Sequence, residues 1–180
     1  GEALKKAERR AMLLRNEAGE AAALHALASV FFMRREFQQS VTTATRARSL
    51  FRLFDKSQEA LVLQDMTDAL LELGMFVEAL DAARSAAAIF DELGDRHAEV
   101  EITCKQTAIF IATKAHKNAE DAARHALILS LRVDGRCEAG ARRNLIDALD
   151  KMGSTHQALL EAAALVAFTQ RLGDKREHAL

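Results

Sequence analysis

Five short segments of this chain resemble one another and recur at a nearly constant spacing. They are Leu14-Arg15-Asn16-Glu17-Ala18-Gly19-Glu20, Leu53-Phe54-Asp55-Lys56-Ser57-Gln58-Glu59, Leu93-Gly94-Asp95-Arg96-His97-Ala98-Glu99, Val133-Asp134-Gly135-Arg136-Cys137-Glu138 and Leu172-Gly173-Asp174-Lys175-Arg176-Glu177. The acidic or amide anchor stands at Asn16, Asp55, Asp95, Asp134 and Asp174, in steps of 39, 40, 39 and 40 residues. A glutamate follows four residues after each of the first four anchors, at Glu20, Glu59, Glu99 and Glu138. A period of this length marks a stack of supersecondary units, none of which can bury its apolar face alone.

The anchor has a physical reading. Leu-Gly closes one helix, because Gly takes the left-handed conformation past a helix end without steric cost. Asp or Asn then caps the next helix, and a glutamate one turn on favours its positive end. Between anchors each repeat reads as two helices. Repeat one spans 17–54, with helices near 18–33 and 37–53 and a turn at Arg34-Arg35-Glu36. Repeat two spans 55–94, with helices near 57–73 and 76–92 about Gly74. Repeat three spans 95–133, with helices near 97–113 and 118–132 about Lys114-Ala115-His116-Lys117. Repeat four spans 134–173, with helices near 137–151 and 155–171 about Gly153. Residues 1–16 read as the second helix of a preceding repeat, and 174–180 as the start of a further one. Composition agrees: 180 residues contain no proline and only 8 glycines, too little turn chemistry for hairpin-rich β folds. The expected helical content is roughly 75–85% of residues, since two helices of about 15 residues fill each repeat.

Apolar residues fall in columns. Phe31, Leu70, Phe110 and Leu149 are equivalent in the first helices, as are Ala28, Thr67, Thr107 and Ile146. In the second helices the columns are Ser40, Ala79, Ala119, Ala158; Ala44, Ala83, Ala123, Ala162; and Ala47, Ala86, Ala126, Leu165. Small residues in register let helices approach closely while large ones fill the gaps opposite.

These columns resemble the tetratricopeptide repeat (TPR). In that family a small residue and an aromatic mark the first helix, Gly and an aromatic mark the turn, and small residues line the second helix. Gly74-Met75-Phe76-Val77-Glu78-Ala79-Leu80 fits the turn and second helix, Arg35-Glu36-Phe37 fits the aromatic position, and Gly153 fits the glycine. Repeat three departs most, with Lys114 for Gly and His116 for the aromatic. The family's proline near the end of the second helix is absent, and about six extra residues ending in Leu-Gly-Asp take its place. That longer form resembles the repeats of kinesin light chains, Leu-Gly-Asn-rich polarity adaptors and bacterial regulators. The resemblance covers essentially the whole chain and implies an all-α, right-handed superhelical solenoid of antiparallel helix pairs.

The resemblance also implies a groove along the inner face of the first helices. By position that face holds His25, Ser29 and Phe32 in repeat one, Gln64, Asp68 and Leu71 in repeat two, Cys104, Ala108 and Ile111 in repeat three, and Arg143, Asp147 and Asp150 in repeat four. A mixed apolar and acidic strip suits a peptide or helix with apolar anchors and Lys or Arg. The competing reading is a solvated curve, or a surface for another part of the same polypeptide. One subgroup of the family clamps a C-terminal carboxylate with Lys and Asn. This strip offers Arg143 and Lys151 but no Asn in the required columns, so that mode is rejected.

Charge is segregated. Residues 1–56 hold 11 basic and 6 acidic side chains, residues 57–101 hold 2 and 11, and residues 102–180 hold 12 and 9. An acidic second repeat between basic flanks steers a basic partner, although a solvated outer face carries the same pattern. Net charge is −1, Phe is the only aromatic type beside histidine, and no basic-aromatic stripe exists, which argues against nucleic acid. Cys104 and Cys137 make no disulfide framework, which reads as an intracellular, cytoplasmic setting. No apolar run reaches membrane-spanning length, and no signal-peptide core opens the chain.

The chemical motifs of catalysis are missing: no Gly-x-Ser-x-Gly, no phosphate loop, no dinucleotide fingerprint and no His-Glu-x-x-His. The expectation is therefore no enzyme, no cofactor and no metal. Asp65 with Asp68, and Asp147 with Asp150, read as ordinary helix surface. The leading function is a non-enzymatic protein–protein interaction scaffold acting through the concave face or the ends of the solenoid. The alternative is a regulatory or sensor region of a larger signalling protein or transcription regulator. The strongly apolar stretch 155–171 reads as an interior helix, expected to be covered by further repeats, a partner chain or a self-associating copy.

Overall fold

The computed structural model describes the backbone of residues 2–133 and 135–177, and the side chains of 16–133 and 137–171. Among these residues the chain is helical and holds no strand. The order is α1 (Glu2–Met33), α2 (Phe37–Phe51), α3 (Lys56–Glu72), α4 (Phe76–Leu93), α5 (Arg96–Ala112), α6 (His116–Ser130), α7 (Gly135–Lys151) and α8 (Thr155–Glu177). Helices cover 86% of the chain, slightly above the expected range. The chain divides into an N-terminal half, residues 1–89, and a C-terminal half, residues 90–180.

The four turns inside the helix pairs share one geometry. Arg35, Gly74, Lys114 and Gly153 all take positive φ, at 62°, 74°, 58° and 76°. In each turn that residue's N–H donates to the carbonyl three back, and the next residue's N–H to the carbonyl five back. For Gly74 the acceptors are Leu71 and Leu70; for Arg35 and Glu36 they are Phe32 and Phe31. The acceptors five back are Phe31, Leu70, Phe110 and Leu149, the aligned apolar column itself. This is the Schellman closure, and it satisfies carbonyls that a helix end leaves orphaned. Arg35 and Lys114 adopt it without glycine, at a conformational cost that glycine avoids. The α4–α5 junction repeats the motif with Gly94 at φ 70°.

The anchors cap as expected at two of the five sites. The Asp55 carboxylate accepts from the Gln58 N–H at 3.0 Å, and that of Asp95 from the Ala98 N–H at 3.1 Å. Asp134 lies outside the described residues. At the two ends the structure differs. Asn16 sits inside α1, which runs unbroken from Glu2 to Met33, so residues 2–16 are not a separate helix. Arg15 stands where Gly94 stands later, and Leu, Arg, Glu and Ala are all good helix formers, so nothing there stops the helix. Likewise α8 continues through Gly173 and Asp174 to Glu177. A single interior glycine costs only about 1 kcal/mol against alanine and does not end a helix by itself.

In the N-terminal half, α1 packs on α2 and α2 on α3. Ala28, Ala44, Ala47 and Ala83 are fully or almost fully buried. Ser40 takes the small-residue place in α2, and its hydroxyl donates to the Ala28 carbonyl at 2.9 Å. Thr67 also lies in the core, with its hydroxyl on the Leu63 carbonyl at 2.8 Å. Phe51, Leu63 and Leu70 fill the spaces that the small columns leave, each burial worth roughly 1.5–3 kcal/mol. In the C-terminal half, α5 packs on α6 and α7, and α7 on α6 and α8. Its core gathers Ala119, Ala123, Leu145, Ala148, Leu149 and Ala158.

The anchor glutamates do more than face a helix end. Glu59 and Glu99 are buried. Glu59 meets the Arg48 guanidinium of α2 at 3.4 Å, and Glu99 meets Arg96. Arg142 joins Glu138 at 2.9 Å and Glu161 of α8 at 2.7 Å, tying α7 to its partner helix. A half-buried carboxylate that keeps a fixed guanidinium fork is well satisfied, and removing the arginine leaves it uncompensated.

Candidate functional site

Helices α1 and α3 carry the strip expected in repeats one and two, and here the structure gives it shape. His25 Nε2 lies 2.9 Å from the Asp65 carboxylate, one helix pair further on. The imidazole also stands edge-on to Phe51, 6.4 Å between centroids. Ser29, one turn along α1, donates its hydroxyl to the His25 backbone carbonyl at 3.2 Å. Serine, histidine and aspartate are thus neighbours, but the hydroxyl is turned to the backbone and not to the imidazole. A nucleophile needs its base within hydrogen-bond reach, so these three residues form no relay.

Beside this pair lies a cleft of about 230 Å³, lined by Ser29, Phe32, Met33, Ser40, Asp65 and Asp68. Phe32 is braced by Phe37 in an edge-to-face contact, 5.5 Å between ring centroids. Met33 is 73% exposed at the end of α1. One wall is apolar and polarizable, and the other carries two carboxylates. A second groove, about 350 Å³, runs between α2 and α4 over Met66, Leu70 and Met75, with Arg48, Glu78 and Asp81 among its lining.

The C-terminal half arranges its strip differently. Burial pushes the Cys104 thiol above its ordinary range, and a hydrogen bond from Asn144 of α7 only partly offsets that. A thiol held protonated in this way is a poor nucleophile. Ala108 is half-buried. Ile111 packs against the core around Leu145 and Leu149, so it serves packing. Arg143, Asp147 and Asp150 are exposed along one face of α7, at i, i+4 and i+7. Neither Cys104 nor Cys137 is in a disulfide.

Of the twelve strip residues, the structure therefore brings four together. Ser29, Phe32 and Asp68 line the cleft, and His25 holds its rim through Asp65. Gln64 and Leu71 are half-buried on α3. Sequence reasoning set Asp65 aside as helix surface. It stands one residue past Gln64, the repeat equivalent of His25, so the column that the register marks steps over it. Asn144 was missed for a similar reason, standing one residue off the expected column.

Solved structures of helical-repeat proteins share this architecture. The apo form of RapI matches with a TM-score of 0.79 at 16% identity, over 86% of this chain and 44% of its own. Aspartyl phosphate phosphatase F from Bacillus subtilis matches at 0.80 and 11% identity, over 88% of this chain and 42% of its own. The nearly identical TPR-like repeats of a Podosopora anserina kinesin light chain match at 0.73 and 14% identity, over 84% and 76%. The chain has a TPR-like fold. At these identities the likeness is one of fold alone. The chain spans less than half the length of RapI and of phosphatase F. No family model and no curated protein sequence matches it.

Proposed function

We propose that this TPR-like chain is a protein-interaction module, and that the α1–α3 cleft of its N-terminal half receives a segment carrying a basic residue beside an apolar one. The observation that carries this reading is the cleft's composition: Asp65 and Asp68 line one enclosure with Phe32 and Met33. A lysine or arginine reaches the carboxylates while its neighbour packs on the aromatic and thioether surface. His25 holds Asp65 in place from α1. The acidic excess of residues 57–101 adds a field that attracts such a partner.

The module acts without catalysis on this reading. Support comes from the missing catalytic motifs and from the orientation of Ser29, not from the fold, since one protein of similar fold is named a phosphatase. No helix among the described residues is long and apolar enough to cross a membrane. A second reading, a regulatory part of a larger signalling protein, is favoured by RapI and phosphatase F, both more than twice the length this chain covers.

The test is selection from a displayed peptide library against the parent and against a chain carrying Asp65→Asn and Asp68→Asn. Enriched peptides should pair Lys or Arg with Leu, Met or Phe within two positions. They should lose at least tenfold in affinity against the double variant and weaken with added salt. Enrichment of acidic peptides, or binding unchanged by the double variant, overturns the reading.

A further inference from the structure

The groove of about 350 Å³ between α2 and α4 carries charges that the repeat does not call for. Its floor is apolar, built from Met66, Leu70 and Met75. Arg48 lines it from α2, and Glu78 and Asp81 line it from α4. The counterparts of Arg48 in the later repeats are Ala87, Leu127 and Val166, all apolar. Those of Glu78 are Gln39, Asn118 and Gln157, all uncharged. Arg48 gives its Nε to Glu59 at 3.4 Å, and its two terminal amino groups meet no other carboxylate among the described residues. Glu78 and Asp81 are exposed and meet no cation there, not even Arg84, three residues after Asp81. The two signs do not pair with each other either. In repeat register Arg48 is level with Ala87, six residues beyond Asp81 and nine beyond Glu78. At 1.5 Å per residue those offsets are roughly 9 and 14 Å along a helix.

We propose that this groove binds a small amphipathic zwitterion, an apolar chain with an ammonium at one end and a carboxylate at the other. The carboxylate meets the terminal amino groups of Arg48, a fork suited to it in shape and charge. The ammonium meets Glu78 and Asp81. The chain between them lies on Leu70 and on the thioethers of Met66 and Met75, where it leaves water for a soft, adaptable surface. A chain of about six to eight carbons spans the gap that remains once the side chains have reached inward. A ligand with one charge satisfies one end only. This site lies on other residues than the α1–α3 cleft and does not depend on what that cleft binds.

Methionine-methyl NMR of the 180-residue chain reads the groove directly. Met66 and Met75 line it, whereas Met33 lines the α1–α3 cleft and serves as the control. The probe is 8-aminooctanoate. Its addition should move the Met66 and Met75 methyl signals to saturation and leave Met33 in place. It should bind at least fivefold more tightly than octanoate or octylammonium, and added salt should weaken it. The shorter 4-aminobutanoate, which cannot reach both ends, should move neither signal. Glu78→Gln with Asp81→Asn should bring 8-aminooctanoate down to the affinity of octanoate. Both residues are exposed, so this variant should keep the parent's circular dichroism and decides the matter alone. Arg48→Leu with Glu59→Gln should bring the probe down to octylammonium. It places at Arg48 the residue that α6 carries as Leu127, and leaves no buried carboxylate unpaired. Unmoved Met66 and Met75 signals, or movement of Met33 in their stead, would overturn the proposal. So would equal binding of the singly charged chains, or a probe indifferent to the loss of Glu78 and Asp81.

Discussion

Ala83 of α4 and Ala162 of α8 hold the same place in their repeats, yet their surroundings differ. Ala83 has no exposed surface, whereas Ala162 is only half-buried, on a helix whose Leu159, Leu160 and Val166 all stand in solvent. Repeat position decides which residues are small. The neighbours actually present decide what that smallness is worth, because a methyl group matters to stability only where atoms surround it on every side. The same contrast appears at the turns, where one geometry is made with glycine at Gly74 and Gly153 and with a side chain at Arg35 and Lys114. It appears again at the anchors, where Asp55 and Asp95 cap helices and Asn16 rides inside one.

The largest effect expected is at the alanines. Ala83→Arg should cost about 3 kcal/mol or more, through overpacking and an unpaired buried charge. Ala162→Arg should cost under about 1 kcal/mol, because the side chain reaches water. Thermal melts of the two variants check this, and equal losses would break the contrast. Next come the turns. Gly74→Ala should destabilise by about 1–2 kcal/mol through backbone strain alone, since nothing lies within 4 Å of an added Cβ there. Arg35→Gly and Lys114→Gly should each stabilise by about 0.5–1 kcal/mol, the relief of strain exceeding the extra freedom given to the unfolded chain. Denaturant unfolding of the three variants should give these opposite signs.

The anchors come third. Asp55→Ala and Asp95→Ala should each lose about 1 kcal/mol with the cap, whereas Asn16→Ala should gain a few tenths, because alanine is the better interior helix residue. A loss at Asn16 comparable to that at Asp55 would mean that the helix breaks there after all. The smallest effect sets Cys104 against an ordinary thiol. Burial raises its pKa, so the folded state favours the neutral thiol. The stability this confers is complete below the usual thiol range and is lost as pH rises through the raised value. Alkylation by iodoacetamide should accordingly lag behind a free cysteine at pH 8.5 and catch up only at higher pH. Equal rates at pH 8.5 would show a solvated thiolate.

The repeat register carried much of the fold into view. From it came the helix pairs of repeats two to four, the turns, the caps at Asp55 and Asp95, and the burial of Ala44, Ala83 and Ala123. These rest on local rules: glycine past a helix end, aspartate before a helix, small residues where helices cross. The ends were illegible for the same reason. At Asn16 and Asp174 the anchor pattern is present, but a cap forms only where the chain turns, and in a stretch of good helix formers no local term forces that turn. Of the candidate strip, the residue types and their helical register were legible. Their convergence was not, because His25 and Asp65 meet across one full repeat and Cys104 and Asn144 across two helices.

The sequence by itself determined that this is a stack of helix pairs with a period near forty, since period, capping and small-residue columns are properties of short segments and their spacing. Only the tertiary structure decided that Asp65 turns to His25 while Ser29 turns to its own backbone, that Phe32, Met33 and Asp68 share one cleft, and that Ile111 belongs to the core. Those outcomes depend on distances and side-chain directions between helices far apart in the chain, which helical period alone does not fix.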